Sequence, residues 1–370
     1  VDLLDYFEKR FEKSMAPLRA HYWPRAVELA PKLRLAERAR LLAVLWGEIP
    51  EFTAAYVTMC EALGRLAHAR TVYVPVEALV ARSGSNWTWR ADSILNVDVL
   101  DRLGRDAGEP LRALPSRDGE LLPEVGMARS VLAALTAEMR FVLSERPEVE
   151  LLAHVDLLDF PGYRGRLDLG GIDEVGKQLR RDDTDPVAQL LLRGKVAYLF
   201  ERYTDDQEMN LLLMCTRCDT QIEVTSLAPV LSTWVHSTQG ETSELRAARR
   251  SGLAWVVTQL DRRLEAKPGQ SRSQQEHEWT SMIHITLQER FKQCDWLDDW
   301  AGGRPFDNVF LVRKPGHLQS VFKTDGDGRE SGYVSAAEER RLAEQRGIFI
   351  ANEAVGRHVR EPGAAFDAVL

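Results

Sequence analysis

Residues 151–162 read Leu-Leu-Ala-His-Val-Asp-Leu-Leu-Asp-Phe-Pro-Gly, an apolar run that meets a carboxylate and then turns on Pro161-Gly162. The run predicts a buried strand over Leu151–Leu158 with Asp159 at its carboxyl end. Nucleotide hydrolases place an acid there to hold Mg²⁺, and a Gly whose N–H meets the terminal phosphate. A buried carboxylate is costly without a partner, and a metal supplies one. The same residues also suit an ordinary strand-to-loop turn, where Asp, Pro and Gly are all common.

The elements that follow alternate. A helix is predicted from Thr184, an N-cap ahead of Pro186, to about Tyr203. Strands are predicted at Leu211–Cys215, Leu253–Thr258 and Asn308–Arg313, with helices near Leu227–His236 and Gln274–Lys292 between them. Short apolar strands alternating with helices imply parallel crossovers in a doubly wound α/β sheet, which binds ligands at its carboxyl edge. Ahead of this region, residues 1–70 are helical in pattern and take Tyr22, Trp23, Trp46 and Tyr56 as core. Thr71–Val76 reads as a short strand, Arg82–Arg90 as a loop and Met127–Leu143 as a helix. Helices are expected again from Ala336 onward.

Two strands after Asp159 comes Trp255-Val256-Val257-Thr258-Gln259-Leu260-Asp261, the Thr-Lys-x-Asp shape with Gln259 in place of Lys. In that motif the Asp accepts hydrogen bonds from a guanine ring, so Thr258 and Asp261 are base-reading candidates. Thr216-Arg217-Cys218-Asp219 competes for the role, but strand order selects Asp261 and leaves Asp219 as a loop cap. Gly171–Gln178 fits Gly-x-x-x-x-Gly-Lys but has Gln178 where a Mg²⁺-binding Ser or Thr belongs. With Asp173 and Glu174 inside it and no leading strand, it reads as a decoy. The phosphate loop is therefore expected ahead of Val1, since both ends of the chain read as internal to a longer protein. Cys215 and Cys218 have metal-ligand spacing, but with no second pair they read as buried thiols. Thr324–Arg329 resembles a calcium loop, yet Arg329 and Ala336 occupy ligand positions, so it reads as a turn.

The 370 residues carry 48 Lys and Arg against 56 Asp and Glu, a net charge of -8. That balance offers no general basic face for nucleic acid. With 28% charged residues and no long uncharged apolar run, the chain reads as soluble and without a transmembrane segment. Four cysteines are too few to staple it, so a reducing, cytoplasmic setting is expected.

Leu157–Arg164, Leu192–Tyr203, Thr238-Gln239-Gly240 and Asn308–Gly316 together resemble the signature of the SrfC-like bacterial virulence factor family. The resemblance spans most of residues 120–370. It implies a dynamin-like or related P-loop GTPase architecture, a larger intact protein with a phosphate loop ahead of this region, and protein partners in virulence. It places Asp159 and Gly162 on the Mg²⁺ and γ-phosphate motif, and Thr258 and Asp261 on the base-reading motif.

The expectation is therefore an α/β chain: a helical region over 1–95, the latter part of a GTPase-like domain over 96–322, and a helical segment over 323–370. Its cofactors would be GTP and Mg²⁺, with Asp159 as the metal residue and 163–183 as a nucleotide-ordered switch. The alternative is a non-catalytic scaffold that keeps the fold, and a third reading is a metal module at Cys215 and Cys218.

Overall fold

The computed structural model describes residues 16–370 apart from Ser85, Ala107, 143–144, 146–148, 160–184, 220–226 and Pro268. Gly162, Gly171–Gln178 and the proposed switch at 163–183 lie outside the described residues. The chain packs as two compact units, one ending at Val196 and the other running from Ala197 to Leu370. No helix among the described residues is long and apolar enough to cross a membrane.

The first unit opens with helices α1 (Trp23–Leu29), α2 (Leu35–Ala43) and α3 (Pro50–Arg65). Their starts are written locally. Pro24 and Pro50 sit in first turns, where a missing N–H costs nothing, and Glu37 accepts the Arg34 N–H at 3.0 Å to cap α2. Tyr22, Trp23, Trp46 and Tyr56 are half-buried rather than fully enclosed. The Trp46 and Tyr56 rings pack at 5.5 Å, and the Trp46 indole N–H reaches Thr53.

Strand β1 (Thr71–Tyr73) is followed by a hairpin of β2 (Val80–Ser83) and β3 (Asn86–Trp89). A loop is expected there from Gly84 and Asn86. Instead Gly84, at φ +63°, makes the reversal, and the Trp and Thr residues beside it favour extended backbone. Strands β4 (Leu111–Arg117), β5 (Glu120–Leu121) and β6 (Val125–Met127) complete an antiparallel sheet with β1. Helix α4 (Arg129–Leu135) is shorter than the apolar pattern predicts, ending at Leu135. Helix α5 (Pro186–Asp205) starts as its Pro predicts, but Asp185 is the cap, accepting the Val187 and Ala188 N–H groups at 2.9 and 3.2 Å.

The second unit is built on β7 (Leu212–Arg217), β8 (Leu253–Thr258) and β9 (Val309–Leu311), parallel and in that order. Between β7 and β8 lie α6 (Leu227–Trp234) and α7 (Ser243–Ala247). Between β8 and β9 lie α8 (Asp261–Leu264), α9 (Arg272–Ile283) and α10 (Asp295–Asp298). Ser271 and Gln274 close a reciprocal cap on α9. A hairpin of β10 (Phe322–Thr324) and β11 (Glu330–Tyr333) follows, then α11 (Ala336–Ala351), α12 (Glu353–His358) and α13 (Pro362–Asp367). The Thr324–Arg329 stretch is the turn of that hairpin, closed by Asp325 accepting the Asp327 and Arg329 N–H groups.

Three of the four expected strands thus share one parallel sheet. The fourth, Leu151–Leu158, does not form: a single 3₁₀ turn over Glu150–Ala153 gives way to irregular chain. Leu157 is 68% exposed and Leu158 43%, so the run buries little. His154 and Asp156 break the apolar sequence, and without a continuous apolar face nothing offsets the cost of ordering a strand.

Sequential order in a parallel sheet, with right-handed crossovers, sends the connecting helices to one face. That face is the core: Leu253, Trp255, Val257, Val309 and Leu311 are buried with Trp296, Phe291 and Phe306. Trp255 meets Phe291 edge-on at 5.1 Å, and Trp296 meets Phe306 at 5.9 Å. The opposite face carries exposed Leu213, Cys215 and Phe310. Cys215, expected inside the core, is exposed because it lies on the sheet face opposite the helices.

Candidate functional site

The three parallel strands end on one edge, where Arg217–Asp219, Gln259–Arg262 and Val312–Gly316 converge. The backbone ties these ends together. Cys218 N–H donates to Thr258 O, Leu260 N–H to Val312 O and Val312 N–H to Val257 O. The Thr258 hydroxyl donates to Thr216 O at 3.1 Å, and the Cys218 thiol to Gln259 O at 3.1 Å. Burial pushes the Cys218 thiol above its usual range, with Arg263 opposing that shift. Gln259 takes a left-handed conformation at φ +57°, a strained turn for a residue with a side chain.

Asp261 opens α8 directly after this turn and is 5% exposed. Its Oδ2 accepts the Lys314 backbone N–H at 3.1 Å. Its Oδ1 is buried and has no hydrogen-bond partner among the described residues. A buried carboxylate oxygen left unsatisfied costs on the order of 1–3 kcal/mol, more when charged, so such an atom calls for an explanation. Arg263 Nε and Gln345 Oε1 are likewise buried and unpartnered, although Arg263 Nη2 donates to Cys218 O and Gln345 Nε2 to Arg263 O.

The rim is charged. Asp219 pairs with Arg262 at 2.5 Å and Arg217 at 3.3 Å, so two guanidiniums share one carboxylate. Lys314 is exposed. Behind it Arg313 pairs with Glu330 and lies over the Phe322 ring at 4.4 Å. Arg313 first, with the Gly316 N–H assisting, holds the Glu330 carboxyl below the usual range against the effect of burial.

The sequence candidates separate. Thr258 and Asp261 meet at this edge. Asp159 is exposed in irregular chain of the first unit, and Gly162 lies outside the described residues. Lys314, Arg263 and Gln345 were not singled out from the sequence. Only the Arg313-Lys314-Pro315-Gly316 stretch carried a signal, as part of the family signature. Cys215 is exposed and Cys218 fully buried, on alternate sides of the chain at the strand end, so they do not converge. Among the described residues no group of three or more His, Cys, Asp or Glu could hold a metal ion. These residues do not fit Mg²⁺ by themselves, whereas the open Asp261 oxygen fits an N–H donor.

No curated protein and no solved structure gives a significant match to the chain. A family model described as "Putative bacterial virulence factor" matches residues 1–370. The chain belongs to this family of bacterial virulence factors.

Proposed function

We propose that the carboxyl edge of the β7–β8–β9 sheet reads the base of a nucleotide, with GTP preferred, and that this is the latter part of a P-loop GTPase-type domain acting as a switch in virulence. The observation that carries the reading is Asp261: one oxygen is fixed by Lys314, and the other is buried at a parallel-sheet edge with no partner among the described residues. Guanine offers two adjacent N–H donors to a carboxylate, and adenine does not. The reading covers the base alone and assigns no chemical step to the metal.

A scaffold without nucleotide is the second reading. It is favoured by Asp159 lying exposed in irregular chain, by Gln259 replacing the Lys, and by the Thr258 hydroxyl being committed to Thr216. Calorimetry of the intact protein with GTP and ATP, with and without Mg²⁺, separates the two. The nucleotide reading expects Mg²⁺-dependent GTP binding, loss of discrimination against ATP in Asp261→Asn, and weaker Mg²⁺ dependence in Asp159→Ala. Absence of binding to either nucleotide refutes it.

A further inference from the structure

The candidate site is gripped from behind by one stretch of chain. Helix α8 is a single turn, closed by Leu264 N–H on Leu260 O and Glu265 N–H on Asp261 O, with Leu260 and Leu264 fully buried. Asp261 opens this turn, and the carbonyls at its end are taken by α11. Arg341 Nη2 donates to Leu264 O at 2.8 Å, and Gln345 Nε2 to Arg263 O at 3.4 Å. The same C-terminal stretch holds the other side of the site. Arg313, the neighbour of the Lys314 whose N–H meets Asp261 Oδ2, donates to the carbonyls of Val369 and Leu370. Both strand ends that meet at Asp261 are therefore fastened to residues 336–370.

The two fastenings are finished differently. Arg313 also places its guanidinium on the Glu330 carboxylate. The seam between α8 and α11 is incomplete. Gln345 is 4% exposed, and its Oε1 is buried with no partner among the described residues. Arg263, the residue it touches, has a buried Nε in the same condition. A donor and an acceptor left unmade on touching residues carry a cost that a short displacement recovers by pairing them. Asp261 Oδ1, at the start of the same turn, is the third such atom. A hydrogen-bonded turn with buried Leu residues at its ends has little slack, so a movement of its first residue carries its last carbonyls along.

We propose that Gln345 is a positioning residue for the base-reading carboxylate, acting through Arg263. Donors arriving at Asp261 Oδ1 draw α8 forward, Gln345 Oε1 then accepts the Arg263 Nε–H, and α11 takes up the shift. The inference rests on the nucleotide reading of Asp261 and adds which distant residue sets the strength of that contact. Linkage makes the effect reciprocal: whatever favours the Gln345–Arg263 pair tightens the base, and the base in turn steadies α11. One hydrogen bond is at stake, so the coupling is about fivefold in affinity.

The test combines hydrogen exchange and calorimetry on the intact protein with GTP, ATP and Mg²⁺. In the wild type GTP is expected to slow amide exchange across 336–351, and ATP is not. Gln345→Met and Gln345→Glu both lose the Nε2 donor to Arg263 O, but only Glu offers Arg263 Nε an acceptor. Gln345→Met is expected to weaken GTP about fivefold, narrow its margin over ATP and abolish the α11 response. Gln345→Glu is expected to recover all three, which a merely structural contact, lost in both variants, would not do. Equal behaviour of the two variants overturns the proposal. GTP binding that leaves exchange across α11 unchanged overturns it while the nucleotide reading stands. No binding of either nucleotide to the wild type overturns that reading, and the proposal with it.

Discussion

Asp261 fastens the end of β8 to the end of β9: its Oδ2 accepts the backbone N–H of Lys314 at 3.1 Å, across 53 residues of sequence. Asp261→Ala removes that acceptor and also Oδ1, which has no partner among the described residues, so the two effects on stability oppose each other. Asp261→Asn keeps an acceptor for Lys314 while placing an amide in the pocket. The expected order in urea denaturation is Asn at or above wild type and Ala about 1 kcal/mol below it. A large loss in Asn would mean that the carboxylate charge is satisfied in the folded chain.

Arg246 is nearly inaccessible, with its side chain 2% exposed, and it donates to four backbone carbonyls. These are Trp300 at 3.0 Å, Gly240 at 3.0 Å, Glu241 at 3.1 Å and Asp299 at 2.8 Å. A fork of five donors suits this set, and a point-charge ammonium does not. Arg246→Lys is expected to lose about 3–5 kcal/mol, read as a lower urea midpoint with an unchanged slope. An effect under about 1 kcal/mol would show that the carbonyls find water instead.

Gly252 lies where β8 begins, with its N–H held by Gln239 Oε1 at 2.6 Å. A Cβ there would sit 2.5 Å from Gln239 Nε2 and 2.7 Å from the Asn210 carbonyl oxygen. The second contact is backbone and cannot swing away. Gly252→Ala is expected to destabilise by about 1–3 kcal/mol. Pairing with Gln239→Ala is expected to recover only part of the loss, because Asn210 stays in place.

His358 is fully buried, with Nδ1 donating to Phe306 O at 2.8 Å and Nε2 accepting from Gln288 at 3.2 Å. Burial pushes its pKa below the usual 6.5. The folded protein therefore keeps the ring neutral while the unfolded chain takes up a proton as pH falls through about 6.5. This contribution to stability is present above that pH and is lost below it, with a slope of at most about 1.4 kcal/mol per pH unit. Denaturation of wild type and His358→Gln at pH 7.5 and 5.5 is the check: the fall on acidification should be smaller in the variant.

The helices were legible because their signals are local. Pro50 at the start of α3, Pro186 at the start of α5 and the continuous apolar run over Leu253–Thr258 each depend on residues within a turn or a strand of one another. Leu151–Leu158 shows the converse. It is apolar enough to suggest a strand, but a strand needs a neighbour, and whether one is present is not written in the segment itself. The β2–β3 hairpin was missed for the same reason, its Gly84 reading as loop until the pairing of Arg82 with Trp87 is seen.

Taken alone, the sequence marked the helix starts at Pro50 and Pro186 and the strands β7, β8 and β9 with their order along the chain, because propensity, capping and periodicity act over a few residues. It also marked Asp261 by its distance from a strand end. Tertiary structure alone decided that Asp261 is buried with one oxygen lacking a partner among the described residues, that Lys314 holds the other, and that Cys215 lies on the sheet face away from the helices. Those facts depend on which distant segments meet, and solvation and hydrogen bonding are fixed only when they do.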